Sequence, residues 1–172
     1  MSFPLPPLSD AQRTVVDRAA RLARERFAGR AARYDAESSF PYENYADLHA
    51  AGLLALTVPA AHGGLGVDSV TYVHALREIA RGCSATGLTL NMHATVVSIL
   101  AVLATEAQQR RYFGEVVGRG ARVASITSEP EQSFRDRLVL NTVFRPVAGG
   151  YQVAGVKQFC SLGDAADYYF LT

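Results

Sequence analysis

Apolar residues recur at helical spacing through the first two thirds of the chain and in alternation through the last third. The first helical pattern is carried by Leu8, Val15, Ala19, Leu22 and Phe27. Such spacing places apolar side chains along one face of an α-helix. Ser9 and Gln12 stand at the spacing of a capping box, so this helix is predicted to begin at Ser9.

Further helices are predicted from residues that typically start and stop helices. Their spans are about Pro41 to Ala51, Ser69 to Arg81, Ser84 to Ala104 and Thr105 to Gly118. The apolar run Leu53 to Pro59 is predicted to be extended, and Ala60 to Asp68 to form a loop. The span from Ser84 is the most apolar, but it contains Asn91 and His93, which favours a buried helix over a membrane span.

From Ala121 onwards, β-branched and aromatic residues alternate with polar ones between glycine, proline and acidic turns. Val143 to Val147 and Tyr151 to Val156 are predicted to form a hairpin through the intervening glycines. The predicted fold class is α+β, with an N-terminal all-α helical bundle at 1–119 and an incomplete antiparallel β-domain at 120–172. Because the last apolar run stops in mid-pattern, we expect the chain to be the front part of a larger protein.

Charge and cysteine content restrict the partners of the chain. Its 17 basic and 16 acidic residues give a formal net charge of +1 and are mixed along the sequence. This balance argues against binding to nucleic acid or another polyanion by bulk charge. Cys83 and Cys160 lie far apart and predict neither a disulfide framework nor a zinc site. We therefore expect a cytoplasmic protein without a bound metal.

Two polar segments are the best candidates for ligand binding. They are SITSEP at Ser125 to Pro130 and KQFCSLG at Lys157 to Gly163. Each carries hydroxyl groups where a predicted strand ends, and the second adds an aromatic ring between small polar residues. A planar heteroaromatic ligand needs a flat surface to stack on and donors for its ring atoms. The alternative interpretation is two ordinary strand ends.

Other polar residues have a structural and a functional interpretation. His93 is either a hydrogen-bonded core histidine or a proton donor in a pocket. Glu129 and Glu131 are either paired acid–base carboxylates or solvated charges of a turn. HGGLG at His62 to Gly66 lacks the full spacing of a phosphate-binding loop and is interpreted as a turn-rich connection.

Three collinear segments resemble motifs of the acyl-CoA dehydrogenase family. They are VPAAHGGLGVDS, EAQQRRYFGEVVGRGARVASITSEP and GGYQVAGVKQFCSLGDAADYYFLT, which are spread along the chain from Val58 to Thr172. The resemblance implies a helical N-terminal domain, a middle β-domain and a C-terminal helical domain that lies outside these 172 residues. It also implies an FAD-dependent oxidoreductase that removes hydrogen from an acyl-CoA.

The resemblance also implies roles for particular residues. Around the flavin it places Ser125, Thr127, Ser128, Phe159 and Ser161. Phe159 would pack against the flavin ring, and the hydroxyl groups would lie near its N5–O4 edge. Ser133 would contact the diphosphate. The helix with Asn91 and His93 would form a wall of the substrate cavity. The catalytic base, a glutamate in the family, is expected in the C-terminal domain, so none is assigned in this chain.

The sequence also departs from the family pattern. EQSFRD at Glu131 to Asp136 replaces a glycine-rich run, and Leu162 stands where an asparagine is common. Such drift resembles family members with unusual substrates, including the branch of flavin monooxygenases. The expected partners are an acyl-CoA or related substrate, an electron acceptor such as an electron-transfer flavoprotein, and further copies of the chain. The alternatives are a flavin-dependent monooxygenase and an inactive truncated chain that serves as an assembly module.

Overall fold

The computed structural model describes residues 7–130 and 140–172 of the chain. Its helices are α1 Asp10–Leu22, α2 Ala28–Glu37, α3 Tyr42–Ala50, α4 Ser69–Gly82, α5 Ser84–Leu103 and α6 Glu106–Arg119. A π-helical turn, Ala23–Phe27, joins α1 to α2. The strands are β1 Val123–Ile126, β2 Val143–Val147, β3 Gly150–Ala154 and β4 Tyr168–Leu171. The predicted order of helices first and strands second is confirmed.

The start of α1 is the predicted capping box. The Ser9 backbone N–H donates to Gln12 Oε1 at 2.8 Å, and the Gln12 N–H donates to Ser9 Oγ at 3.4 Å. Gln12 Nε2 also donates to Asp68 Oδ2 at 2.8 Å, which ties α1 to the start of α4. Asp68, and not the predicted Ser69, caps α4 by accepting the Thr71 N–H at 2.9 Å. A carboxylate is as good a cap as a serine hydroxyl group because it accepts from the free N–H groups of the first turn. Its negative charge is also stabilised by the positive end of the helix dipole.

The first core lies where α4 packs between α1 and α5. Its largest fully buried side chains are Phe27, Leu48, Leu53, Leu56, Ile79 and Leu90. The end of α4 approaches the π-helical turn so closely that a Cβ at Gly82 would lie 2.6 Å from the Ala23 carbonyl oxygen. Only glycine permits this contact, so Gly82 sets the distance between the two helical segments.

A second core connects the helices to the strands. It contains Val58, Val96, Val97, Phe113, Val116 and Val123. Here α5 contacts both β1 and α6, and apolar side chains of both helices belong to the core in which Val123, at the start of the strand, is buried. By length and composition α5 could span a membrane, yet 44% of its most apolar window is buried inside this fold.

The prediction of an extended segment at Leu53 to Pro59 was wrong. Leu53–Ala55 forms a 3-10 turn, and the apolar side chains of the segment are buried. Its carbonyl groups accept from the following loop, with Gly66 N–H 2.9 Å from the Val58 oxygen and Val67 N–H 3.0 Å from the Leu56 oxygen. A run buried on all sides shows no periodicity, so the sequence alone could not distinguish a strand from a packed turn.

The strands form two separate pairs. β2 and β3 form the predicted antiparallel hairpin, with Val147 opposite Gly150 at its turn. β1 and β4 pair in parallel, with Val123 opposite Tyr168. The β-region is therefore partly parallel and not purely antiparallel as predicted. A long connection separates β1 from β4, and this lets the chain return in the same direction.

Candidate functional site

The structure brings the two candidate ligand-binding segments side by side. The Gln158 backbone N–H donates to the Ser128 carbonyl oxygen at 2.9 Å. The Gln158 side-chain Nε2 donates to the Glu129 carbonyl oxygen at 3.1 Å. Lys157 Nζ donates to the Thr127 carbonyl oxygen at 3.2 Å. The residues that follow β1 and those that follow β3 therefore form one continuous polar surface.

The hydroxyl groups of these segments are accessible but not fully exposed. Ser125, Thr127 and Ser128 are half-buried at the end of β1, and Ser161 is half-buried on the facing segment. Leu162, which follows Ser161, is buried and anchors this segment in the fold. The hydroxyl groups are thus held on an anchored backbone, where they can donate to a ligand on the open side.

Phe159 has an unusual backbone conformation and an unusual environment. Its φ angle is +58°, in the left-handed region that residues other than glycine rarely adopt. Its side chain is 83% exposed, although phenylalanine side chains are usually buried. A strained residue that presents an apolar ring to solvent, next to a residue that bonds to Ser128, is typical of a ligand-binding surface.

Glu129 is not the solvated turn charge that the sequence favoured. Its side chain is buried, and its carboxylate pairs with Lys157 Nζ at 2.8 Å. The same carboxylate accepts the Asn141 N–H, and also the N–H and the hydroxyl group of Thr142. Glu131, the other carboxylate of the predicted pair, lies outside the described residues. The missed signal was Lys157 itself, a single cation in a run without other charges.

These contacts keep Glu129 ionised. The hydrogen bond from Lys157, followed by those from Thr142 and the Asn141 N–H, lowers the pKa of Glu129 to about 2. A carboxylate with this pKa is a poor general base at neutral pH. Glu129 therefore has the properties of a structural anion and not of an acid–base catalyst.

His93 is a connection between α5 and the strands. It is fully buried, and its Nδ1 accepts the Val123 N–H at 3.0 Å. The proton must then lie on Nε2, which donates to the Leu54 carbonyl oxygen at 3.2 Å. Burial lowers the pKa of His93 to about 4, so the ring is neutral near pH 7. This geometry fits the core histidine and gives no support to the proton donor of a substrate pocket.

A largely apolar groove of about 620 Å³ lies between the loop before α4, the start of α4 and the second half of α5. Its lining includes Thr57, Tyr72, Ser98 and Val102. Asn91 is not part of the lining, but its Oδ1 accepts a hydrogen bond from Tyr72 Oη at 2.8 Å. Burial raises the pKa of Tyr72 to about 12, so its hydroxyl group stays protonated. Sequence reasoning identified Asn91 and missed Tyr72, since no motif distinguishes that tyrosine.

One further candidate residue lies where the structure is not described. Ser133, assigned to the diphosphate, lies outside the described residues, as does the run from Glu131 to Asp136 that departs from the family pattern. Within 7–130 and 140–172, no three His, Cys, Asp or Glu side chains gather as a metal site would require. The site is therefore described by the β1 end, the segment around Phe159 and the groove.

The sequence matches the family model described as the N-terminal domain of acyl-CoA dehydrogenase over residues 9–119. An acyl-CoA dehydrogenase of Bacillus subtilis (strain 168) is 30% identical, across 86% of this chain and 39% of that protein. A dibenzothiophene monooxygenase of Rhodococcus erythropolis is 30% identical, across 73% of this chain and 30% of that protein. The chain thus spans less than half the length of these curated relatives.

Solved structures share the fold. Butyryl-CoA dehydrogenase of Megasphaera elsdenii matches with a TM-score of 0.85 at 22% identity, over 99% of this chain and 45% of that one. KijD3, solved with FMN and a dTDP-linked amino sugar, matches with a TM-score of 0.80 at 28% identity, over 96% of this chain and 40% of that one. Both similarities extend through the helices and the strands.

Proposed function

Because the chain belongs to the acyl-CoA dehydrogenase family, we propose that it supplies one wall of the flavin site of an oxidoreductase. One observation carries this proposal, namely the contact of the β1 end with the segment of Phe159, made by the 2.9 Å hydrogen bond from Gln158 to Ser128. Homologues solved with FMN support a flavin ligand. We propose FAD as the flavin because the resemblance to the acyl-CoA dehydrogenase family implies it.

The residues of this surface fit a flavin ring. The exposed ring of Phe159 offers a flat apolar surface beside the hydroxyl groups of Ser128 and Ser161. We assign Phe159 to stacking against the isoalloxazine, and the two hydroxyl groups, with Ser125 and Thr127, to its polar edge. Donors held on an anchored backbone stabilise charge that develops on a ligand, since they need not reorganise during the reaction. A bound flavin would supply the electron acceptor for the reaction.

The groove along α5 is the proposed substrate-binding region. Its apolar lining suits an acyl chain, and Tyr72 and Asn91 provide a neutral polar pair at its side. Neither Tyr72, with a raised pKa, nor the neutral and buried His93 has the properties of a base that removes a proton at pH 7. As the resemblance to the family implies, we propose that the base for dehydrogenation of an acyl thioester lies outside these 172 residues. We further propose a cytoplasmic homo-oligomer that passes electrons to an electron-transfer flavoprotein.

A second candidate reaction is oxygenation. The 30% identity to dibenzothiophene monooxygenase favours it specifically, since that relative is as similar to this chain as the dehydrogenase is. In this case the same wall would hold a reduced flavin, and the groove would receive a small aromatic compound and not an acyl-CoA. Turnover of an acyl-CoA with an artificial electron acceptor, measured in the protein that carries this chain, would support the dehydrogenase over the monooxygenase.

Flavin binding by Phe159 is tested with the chain itself. Phe159→Ala should weaken binding of FAD, measured by quenching of flavin fluorescence, by about tenfold because the stacking surface is lost. The matched control is Phe144→Ala, which removes a 44% exposed ring of the hairpin. Equal flavin affinity in the wild type and in Phe159→Ala would show that the ring does not lie against this residue. Parallel titrations with FMN decide which flavin the site prefers.

A further inference from the structure

A buried ion pair lies behind the candidate flavin wall and has no part in the proposed chemistry. Lys157 Nζ and Glu129 Oε1 are 2.8 Å apart, and their side chains are only 9% and 2% exposed. Nearly all of the other ion pairs in the described part of the chain have at least one partner that is far more exposed, such as Arg110 and Glu106 at 64% and 90%. Desolvating a pair this deeply buried costs much of the energy that its attraction returns, so stability alone does not explain it and a specific structural role is expected.

The contacts of the pair join four separate stretches of the chain, since Lys157 Nζ also donates to the carbonyl oxygen of Thr172, which follows β4. Glu129 follows β1, and its carboxylate accepts the N–H of Thr142, just before β2, at 2.9 Å. Lys157, which follows β3, donates to Glu129 and also to the carbonyl oxygen of Thr127 at 3.2 Å. Glu129 directly follows Ser128, and Lys157 lies two positions before Phe159. The pair therefore crosslinks the two sides of the proposed wall from behind.

Apolar packing does not hold this region together among the described residues. Val156 is 67% exposed and Phe159 is 83% exposed, and every residue of β2 and β3 is exposed. On the Phe159 side, the buried anchor begins only at Leu162. The polar contacts of Glu129 and Lys157 are thus the main interactions that fix the position of the segment just before Phe159.

We propose that Glu129 and Lys157 are positioning residues that hold Ser128 and Phe159 at the spacing a flavin ring requires. The assignment of the ring to these residues rests on the proposed function, whereas the alignment of the two segments does not. Buried ion pairs are best known for fixing one arrangement among several, and here that arrangement is the register between the residues after β1 and those after β3.

The first experiment measures amide hydrogen exchange in the chain without flavin. Glu129→Gln and Lys157→Met should each speed the exchange of the Gln158 amide about tenfold or more, since its hydrogen bond to Ser128 opens more often. Amides in α1 and α5 should keep their wild-type rates. Arg110→Met, which removes an exposed ion pair on α6, is the matched control and should leave Gln158 unchanged. Thr142→Val, which keeps both charges, provides a milder variant if Lys157→Met fails to fold.

The double variant separates alignment from general stability. Glu129→Gln with Lys157→Met leaves no unpaired buried charge, so Gln158 should exchange more slowly than the product of the two single effects predicts. Unchanged Gln158 exchange in both single variants would overturn the proposal. So would an equal acceleration of all amides, because that result describes a loss of overall stability.

The second experiment adds FAD. The variants should lose flavin affinity only as far as the aligned arrangement is depopulated, because apparent affinity scales with the fraction of chains that are competent to bind. A variant whose Gln158 amide has lost its protection entirely should therefore bind FAD several-fold more weakly, with Arg110→Met as the control. Such an unprotected variant that still binds FAD as tightly as the wild type would refute the positioning role. If the wild-type chain binds no flavin, the proposed function fails, and the exchange experiment still decides whether the pair aligns the two segments.

Discussion

The helical region and the strand region of this chain are stabilised in different ways. Helices α1 to α6 enclose two apolar cores, and side chains such as Phe27 and Phe113 have no exposed surface. In the strand region, the hairpin of β2 and β3 is exposed on both faces, and buried apolar residues are few. Apart from the packing of β1 and β4 against the second core, that region is held by contacts between polar groups, with Glu129 and Asp167 at their centres.

This difference places the candidate ligand surface where the fold is least constrained by packing. Apolar cores favour a single arrangement because close-packed side chains resist displacement. Hydrogen bonds and ion pairs are directional, and they can hold a backbone open to solvent without covering it. The helical region therefore supports the strand region rigidly, through the contact of His93 with β1. The strand region carries Ser128 and Phe159, the residues proposed to contact a ligand.

The largest expected difference between the two regions is in the stability lost when a phenylalanine ring is removed from each. Phe113→Ala should lower the free energy of unfolding by about 4 kcal/mol, because a fully buried ring leaves a cavity. Phe144→Ala in the hairpin should cost less than about 0.5 kcal/mol, because its ring is already 44% exposed. Urea denaturation followed by circular dichroism measures both values. Similar losses in the two variants would show that the hairpin is packed as firmly as the helices.

The next effect depends on pH and concerns His93, which connects the helical region to the strand region through its hydrogen bond with Val123. Folding keeps the pKa of His93 at about 4, below its ordinary value of 6.5, so between these values the unfolded chain binds more protons than the folded one. His93 therefore makes the free energy of unfolding depend on pH. This free energy is at its full value above pH 6.5, and it decreases by up to about 3 kcal/mol as the pH falls towards 4. His93→Gln should be less stable at pH 7 and should show a smaller decrease between pH 7 and pH 4. The same pH dependence in both proteins would contradict the burial of a neutral ring.

Local patterns in the sequence predicted much of the helical region correctly. The capping boxes at Ser9 and Thr105 are complete in the structure, because the groups that form them are three residues apart. The hairpin was predictable for the same reason, since its turn lies between adjacent strands. The resemblance to the family was carried by motifs that span both regions.

The features that were missed depend on contacts between distant residues. Parallel pairing of β1 with β4 joins Val123 to Tyr168, and no local pattern specifies that register. The charge of Glu129 is buried because Lys157 approaches it from 28 positions away. Asp68 replaced Ser69 as the cap of α4 partly because Gln12 on α1 holds its carboxylate. In each case the local sequence is compatible with more than one structure, and contacts with residues distant in the sequence determine which one forms.

The smallest expected effect tests the second polar contact of the strand region. Asp167 Oδ2 accepts the Arg122 N–H at 2.8 Å, and its Oδ1 accepts from Arg119 Nη1 at 2.9 Å, which fastens the start of β4 to the end of α6. Asp167→Asn should lower the free energy of unfolding by about 1 kcal/mol, because an amide oxygen can still accept one of these bonds.

The matched control for Asp167→Asn is Glu106→Gln, which removes a 90% exposed partner of an ion pair and should cost less than about 0.5 kcal/mol. Urea denaturation at low and at high salt distinguishes the two, since solvent ions screen the exposed pair more than the half-buried contact. A loss at Asp167 no larger than the loss at Glu106 would mean that β4 is held by its other contacts, which are its pairing with β1 and the packing of Tyr168 and Phe170 against the second core. The contacts of Asp167 would then add little to the stability of the strand region.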